Sequence, residues 1–210
     1  MSSLPITTPD GLEPVWDIAT LYPSQGGWSE EDYLSLTDST NRLIEFTDGR
    51  VEFLPMPTEI HQFILLFLMD RLRAFVEPAD LGKVMFSGLR VRVRPEKIRE
   101  PDLIFISKEK YQLRSNRYWS GADLVMEIVS PDDRSQQRDH REKPVDYAEA
   151  RIAEYWIVDP QQQQIKVLVL PEGENEYKVH GVYGRGATAT SAILEGFTVD
   201  VTAVFEAPNA

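Results

Sequence analysis

Short alternating runs, one long helical run and three mainly apolar runs, one of them interrupted by Glu127, divide this chain. Leu43-Ile44-Glu45-Phe46 and Val51-Glu52-Phe53-Leu54 alternate around Asp48-Gly49. That pattern predicts a β-hairpin, with Pro55 and Pro57 ending its second strand. Ile60, Phe63, Ile64, Phe67, Leu68, Leu72 and Phe75 recur at helical spacing and predict a helix from an N-cap at Thr58 to about Glu77, stopped by Pro78. Leu65, Leu66, Met69 and Val76 widen its apolar face, so the helix is expected to pack on two sides. A homodimer through the helix at 58–77 would supply the second side. Val84 to Val93 reads as strand broken near Ser87-Gly88, with Arg90, Arg92 and Arg94 on one face and Pro95 to Arg99 as a connecting turn. Leu103–Ile106, Leu124–Val129 and Glu154–Asp159 read as strands covered on both faces.

The segments between them are polar. Lys108 to Gly121 reads as a loop and Pro131 to Gln137 as a linker. A helix follows to about Ala150. Pro144 is tolerated only in a first turn, so the helix is expected to begin close to Lys143, leaving 139–142 as loop. Strand, helix, strand over 122–159 makes a βαβ unit with a right-handed crossover. Ile165–Leu170 and Tyr177–Tyr183 read as a late antiparallel pair, and Ile193 to Phe205 as a short strand and an apolar turn that docks. At the front, residues 1–28 hold Pro and Gly without a period and read as an extended arm. Ser29 caps a short helix, with Asp32 at N3 completing a capping box. Residues 29–210 are expected to form a single domain.

Composition adds exclusions. The chain has 210 residues, 42% hydrophobic and 27% charged, ordinary for a soluble globular protein. Without cysteine it has no disulfide, thiolate metal site or cysteine nucleophile. It shows no leader pattern, and its longest apolar run, Phe63 to Met69, is far too short to span a bilayer. A cytoplasmic protein with no membrane partner is expected. The formal net charge of −12 argues against nucleic-acid binding by the whole surface. Yet Lys83 to Arg117 carries ten basic residues against four acidic ones, and this local excess flanks Asp102. Such runs are ordinarily solvated strand faces. The alternative reading makes Arg90, Arg92 and Arg94 contacts to backbone phosphates.

The chemistry concentrates between Glu100 and Lys143. Asp102 leads into one buried run and Glu127 lies toward the end of the next. Carboxylates among apolar residues are costly unless they meet a metal or a partner. If the two strands are antiparallel neighbours, Asp102 meets Glu127, and Lys143, at the start of the crossover helix, reaches both. Two close carboxylates need a cation between them or a shared proton. Hard oxygen ligands with room for water suit Mg²⁺ or Mn²⁺, which lower the pKa of an attacking water, while a nearby lysine stabilises developing negative charge. Spacing alone leaves the alternative standing: Asp102 in a turn, Glu127 paired with an arginine, Lys143 on the surface. His61, in the first turn of the long helix, reads either as a capping or solvent-facing histidine or as a site residue delivered by a helix N-terminus.

Pro101-Asp102 followed by Glu127 in a buried strand resembles the PD-(D/E)XK nuclease superfamily. More specifically, the chain resembles the Uma-two family of restriction-endonuclease-like proteins in Asp48-Gly49 through His61, Glu100 to Leu103, Leu124 to Pro131, Asp139 to Lys143 with Tyr147, Glu154 to Pro160, and Leu194 to Phe197. The resemblance implies a restriction-endonuclease-like core of the α/β class (an α+β mixed sheet flanked by helices). It implies Asp102, Glu127 and the main-chain carbonyl of Ile128 as ligands of Mg²⁺ or Mn²⁺. The superfamily's lysine usually stands two places after the second acid, where this chain has Val129; Lys143 from the following helix is the match. His61 matches a family histidine, for which metal-site assistance and substrate contact are both open, and Asp139 is a further candidate assisting residue. The expected function is metal-dependent hydrolysis of phosphodiester bonds in nucleic acid, DNA above all. The alternative is a binding or regulatory protein that keeps the fold without turnover, which the acidic charge and Val129 favour.

Overall fold

The computed structural model describes residues 22–209. The arm expected over 1–28 therefore lies outside the described residues except for 22–28. That remnant docks on the hairpin: Trp28 is buried and stacks on Tyr22, and the Gly26 and Trp28 amides donate to the Gly49 carbonyl. The hairpin forms as the alternation predicts, with β1 at Ile44–Thr47 and β2 at Arg50–Phe53. Asp48 and Gly49 both have positive φ, as a two-residue turn between twisted strands requires. A Cβ on Gly49 would lie 2.7 Å from the Gly26 carbonyl oxygen, so the docked segment also needs glycine there.

The first helix, α1 (Glu30–Asp38), opens on the expected capping box, Ser29 with Asp32. The long helix, α2 (Glu59–Val76), starts from Thr58, whose hydroxyl accepts from the His61 amide. Its inner face buries Ile64, Leu65, Leu68, Leu72 and Val76, while Ile60, Phe63 and Leu66 stay exposed. No helix among the described residues is long and apolar enough to cross a membrane.

Two main sheets follow. The expected strand over Val84–Val93 divides between them, as β3 (Gly82–Phe86) and β4 (Val91–Arg94). Pro95 to Arg99 is not merely a turn. Pro95-Glu96 reverses the chain, and Lys97–Arg99 forms β5, which inserts between β4 and β1 and buries Ile98. The smaller sheet thus runs β2-β1-β5-β4. The larger contains β6 (Leu103–Ser107), β7 (Leu124–Ile128), β8 (Glu154–Asp159), β9 (Gln164–Val169) and β10 (Lys178–Gly184), in the order β10-β9-β8-β7-β6-β3. Only β7 and β8 are parallel, so the sheet is mixed. Beyond β10, the short β11 (Thr188–Thr190) pairs with β12 (Thr198–Asp200), and the chain closes on a helix at Val201–Glu206.

Strand period sorts the core. Leu103, Phe105, Leu124, Met126 and Ile128 face α2 and the C-terminal elements. Ile104, Ile106, Val125 and Val129 face the other way, toward Tyr147, Ile152 and Tyr155. Glu127, between Val125 and Val129 along its strand, projects to that second face.

The crossover differs from expectation at its start. Residues 133–137 are helical rather than linker, with Asp132 as N-cap. Residues 138–142 are not loop but a single π-turn, which runs into the helix Lys143–Glu149. The Lys143 amide accordingly donates to the Arg138 carbonyl, five residues back. This widened turn explains how Pro144 sits within a helical run: a proline lacks the amide donor and its ring crowds the preceding turn, and the π-turn relieves both. Asp139, in this turn, and Lys143, which ends it, are both buried.

Candidate active site

β6 and β7 pair Leu103 with Met126, which sets Asp102 at the height of Glu127. The Asp102 carboxylate bridges two elements. One oxygen accepts from the Ile128 amide at 2.7 Å, and the other lies 3.0 Å from His61 Nε2. The helix α2 delivers this histidine from its first turn to the cavity beside Asp102, so it does not face solvent. The ring is buried and its Nδ1 has no partner.

Glu127 is buried. Its Oε1 accepts from the Tyr147 hydroxyl at 2.5 Å and lies 2.7 Å from Lys143 Nζ. The same ammonium lies 3.2 Å from Asp139 and 3.6 Å from Glu45. Lys143 is thus neither a surface residue nor out of reach of Glu127. Burial alone would lower its pKa, but Asp139, Glu127 and Glu45 outweigh burial and raise it, so the amine stays charged. Burial pushes the Glu127 carboxyl up to about 8; Lys143 opposes this, while Asp102, Asp139 and Glu45 add to it. One ammonium shared among three carboxylates in a desolvated space leaves Glu127 the carboxyl that is raised.

Around this centre lies a buried charge network in which Asp139 was expected, while sequence reasoning missed Glu45, Lys97, Arg99, Arg138 and Asp146. Arg99 donates to Glu45 at 2.7 Å and to Asp146 at 2.6 Å, and Lys97 reaches Asp146 at 2.5 Å. Arg138 pairs with Asp139 at 3.2 Å. For Glu45, burial raises the pKa, but Lys143, Arg99 and Arg138 bring it down to about 2. Alternation assigns Glu45 to a solvent-facing position of the hairpin; instead Ile44, Glu45 and Phe46 are all buried. Tyr147 stands one helical turn after Lys143, and this spacing is the signal that places its hydroxyl beside Lys143.

The arginines at 90, 92 and 94 do not join the centre. Arg90 pairs with Asp38, Arg92 with Glu30, and Arg94 with Asp48 and Glu149. Lys108 and Lys110 pair with Asp80 and Asp123, and Arg117 with Glu31 and Asp38. The local basic excess is spent mostly on carboxylates from other parts of the chain.

Asp102, Glu127, Lys143, His61, Asp139 and Glu100 line one cavity of about 30 Å³. A wider groove of about 680 Å³ shares His61 and Ser130 with it and continues past Ile60, Pro131, Gln161 and Phe205. Among the described residues, no Lys or Arg lines this groove. Nor does any group of three or more His, Cys, Asp or Glu among them stand ready-made around a metal ion. The donors at the cavity nevertheless suit Mg²⁺ or Mn²⁺: two carboxylates, a nearby main-chain carbonyl, and space for about one ion or water. Magnesium needs no all-protein cage, since it keeps several waters and takes one or two carboxylates.

The sequence model of the Uma2 family, described as "Putative restriction endonuclease", matches residues 30–202. A search among curated proteins gives no match. Among solved structures, the crystal structure of "a putative nuclease belonging to DUF820" from Anabaena variabilis ATCC 29413 superposes with a TM-score of 0.69. It is 18% identical in sequence and covers 86% of this chain and 99% of its own. At that identity the likeness establishes a shared fold, the mixed sheet flanked by helices.

Proposed function

This chain belongs to the Uma2 family of restriction-endonuclease-like proteins, and from that premise we propose that it is a divalent-metal-dependent nuclease hydrolysing phosphodiester bonds of DNA. The observation that carries the reading is convergence. Asp102 from the start of β6, Glu127 from the end of β7 and Lys143 from the crossover helix meet at one small cavity, with Lys143 Nζ 2.7 Å from Glu127.

In this reading Asp102, Glu127 and the Ile128 carbonyl hold Mg²⁺ or Mn²⁺. The ion, when bound, polarises a phosphate oxygen and lowers the pKa of an attacking water. Lys143 stays charged and stabilises negative charge as it builds on the phosphate. Tyr147 and Lys143 together fix the rotamer of Glu127, while Asp139 and Glu45 hold the ammonium in place. His61 orients Asp102 from the far side. The substrate strand lies in the groove past Ser130 and Gln161, where contacts come from amides and apolar surface rather than from cations.

The test is cleavage of supercoiled, linear duplex and single-stranded DNA, and of RNA, with millimolar Mg²⁺ or Mn²⁺. Wild-type protein cuts at least one of these and Asp102→Asn does not. Equal cutting by both proteins, or none by either, overturns the assignment. A second reading has its own observation: Lys143 is already shared by three carboxylates and no metal cluster is ready-made. That favours a binding protein without turnover. It predicts retention of nucleic acid in a gel-shift assay with no product.

A further inference from the structure

Glu100 has no part in the chemistry described so far, although it lines the same cavity as Asp102, Glu127 and Lys143. It is 6% exposed, and its Oε2 is buried without any hydrogen-bond partner. The neighbouring cations are committed elsewhere. Arg99, adjacent in the chain, is held by Glu45 and Asp146. Lys143 is held by Glu127, Asp139 and Glu45. Arg90 is held by Asp38 and Thr37. The backbone around Glu100 is pinned, since its amide donates to Glu45 Oε1 at 3.2 Å. A buried carboxyl oxygen without a donor is costly, and in a native structure it calls for a water or an ion.

We propose that Glu100 is an outer carboxylate of the divalent-ion site, its free Oε2 accepting a hydrogen bond from a water carried by the ion. The inference rests on the metal reading above. A role through water follows from the ligand set: the cavity side chains include no close group of three ligands, so water must complete the ion's shell. Magnesium and manganese retain waters, and carboxylates that hold such waters orient the ion without touching it. Glu100 is therefore a positioning residue.

The experiment is calorimetric titration of the full chain with Mn²⁺, supported by the electron paramagnetic resonance of bound Mn²⁺. Wild type, Glu100→Gln, Glu100→Asp and Asp102→Asn are compared, each checked by its melting temperature without metal. Glu100→Gln is expected to melt no lower than wild type without metal, because it removes an unpaired buried carboxyl. It is expected to bind Mn²⁺ more weakly by roughly 10-fold or more, as for other outer-shell partners. Glu100→Asp, whose arm is one methylene shorter, is expected to stay weak as well. Wild-type affinity in Glu100→Gln overturns the proposal and leaves the metal reading intact if Asp102→Asn still loses the ion. Wild-type affinity in Glu100→Asp shows that charge alone matters and overturns the positioning role. No Mn²⁺ binding by wild type overturns both.

Discussion

Lys143→Met is expected to slow metal-dependent cleavage by roughly 10²–10³-fold, the range lost when one preorganised donor is removed from a developing oxyanion. The expectation follows from what surrounds the ammonium. It is buried, it lies between Glu127 and Asp139, and it stays charged because three carboxylates outweigh burial. Such a group is held in place before reaction, so its loss falls on kcat more than on KM. The fold should survive the change, because Glu127 is already biased toward its neutral form and can take up a proton when the ammonium leaves. Single-turnover cleavage, with circular dichroism as the control, checks both halves. A variant that is folded and as fast as wild type removes Lys143 from the mechanism.

The raised pKa of Glu127 carries a pH dependence whose sign can be worked out. Only the ionised carboxylate holds a cation, and burial raises the Glu127 pKa to about 8 against the pull of Lys143. Binding of Mn²⁺ at neutral pH is therefore expected to release protons. Affinity is expected to rise between pH 6 and pH 8.5 and then level off. Titrations at pH 7 in two buffers of different ionisation enthalpy should show proton release; identical heats in both would contradict the assignment.

The largest stability effect is expected at Arg99. Arg99 is 4% exposed, and its guanidinium bridges Glu45 of β1 to Asp146, tying the smaller sheet to the crossover helix. Arg99→Met removes the cation shared by these two buried carboxylates and leaves Asp146 to Lys97 and Glu45 to Lys143. Removing one partner from a buried ionic group costs about 3–5 kcal/mol, against little net gain when the whole group is replaced. For a chain of this size that corresponds to a fall in melting temperature of roughly 6–20 °C. Glu45 also holds Lys143, so the variant should lose metal-dependent cleavage before it unfolds. A shift under about 2 °C by calorimetry would show that the network contributes little.

These residues also mark where the sequence was legible. The turn at Asp48-Gly49, the three mainly apolar runs and the helical period of α2 follow from local rules, and all appear in the structure. The meeting of Asp102 and Glu127 needed only one added step, the antiparallel pairing of two adjacent buried runs. What stayed hidden depends on partners distant in the chain. Glu45 lies in an alternating hairpin and looks solvent-facing until Arg99, fifty-four positions away, neutralises it. Arg90, Arg92 and Arg94 share a strand and look free until α1 and the hairpin turn bring Glu30, Asp38 and Asp48 to them. The polar run at 133–137 has no apolar period to mark its helix, and Pro144 argues against continuing a helix through 138–142, which a π-turn allows. Glu100 was visible next to Pro101-Asp102, but nothing in its spacing says that its side chain enters the cavity.

The claim that the site is assembled around a divalent ion is tested most directly by diffraction from crystals soaked in Mn²⁺, with data collected for anomalous scattering. The account predicts one strong peak in the cavity, at about 2.0–2.3 Å from carboxylate oxygens of both Asp102 and Glu127, and loss of that peak in Asp102→Asn. An empty cavity in a well-soaked crystal, or a peak bound to other residues, would contradict it.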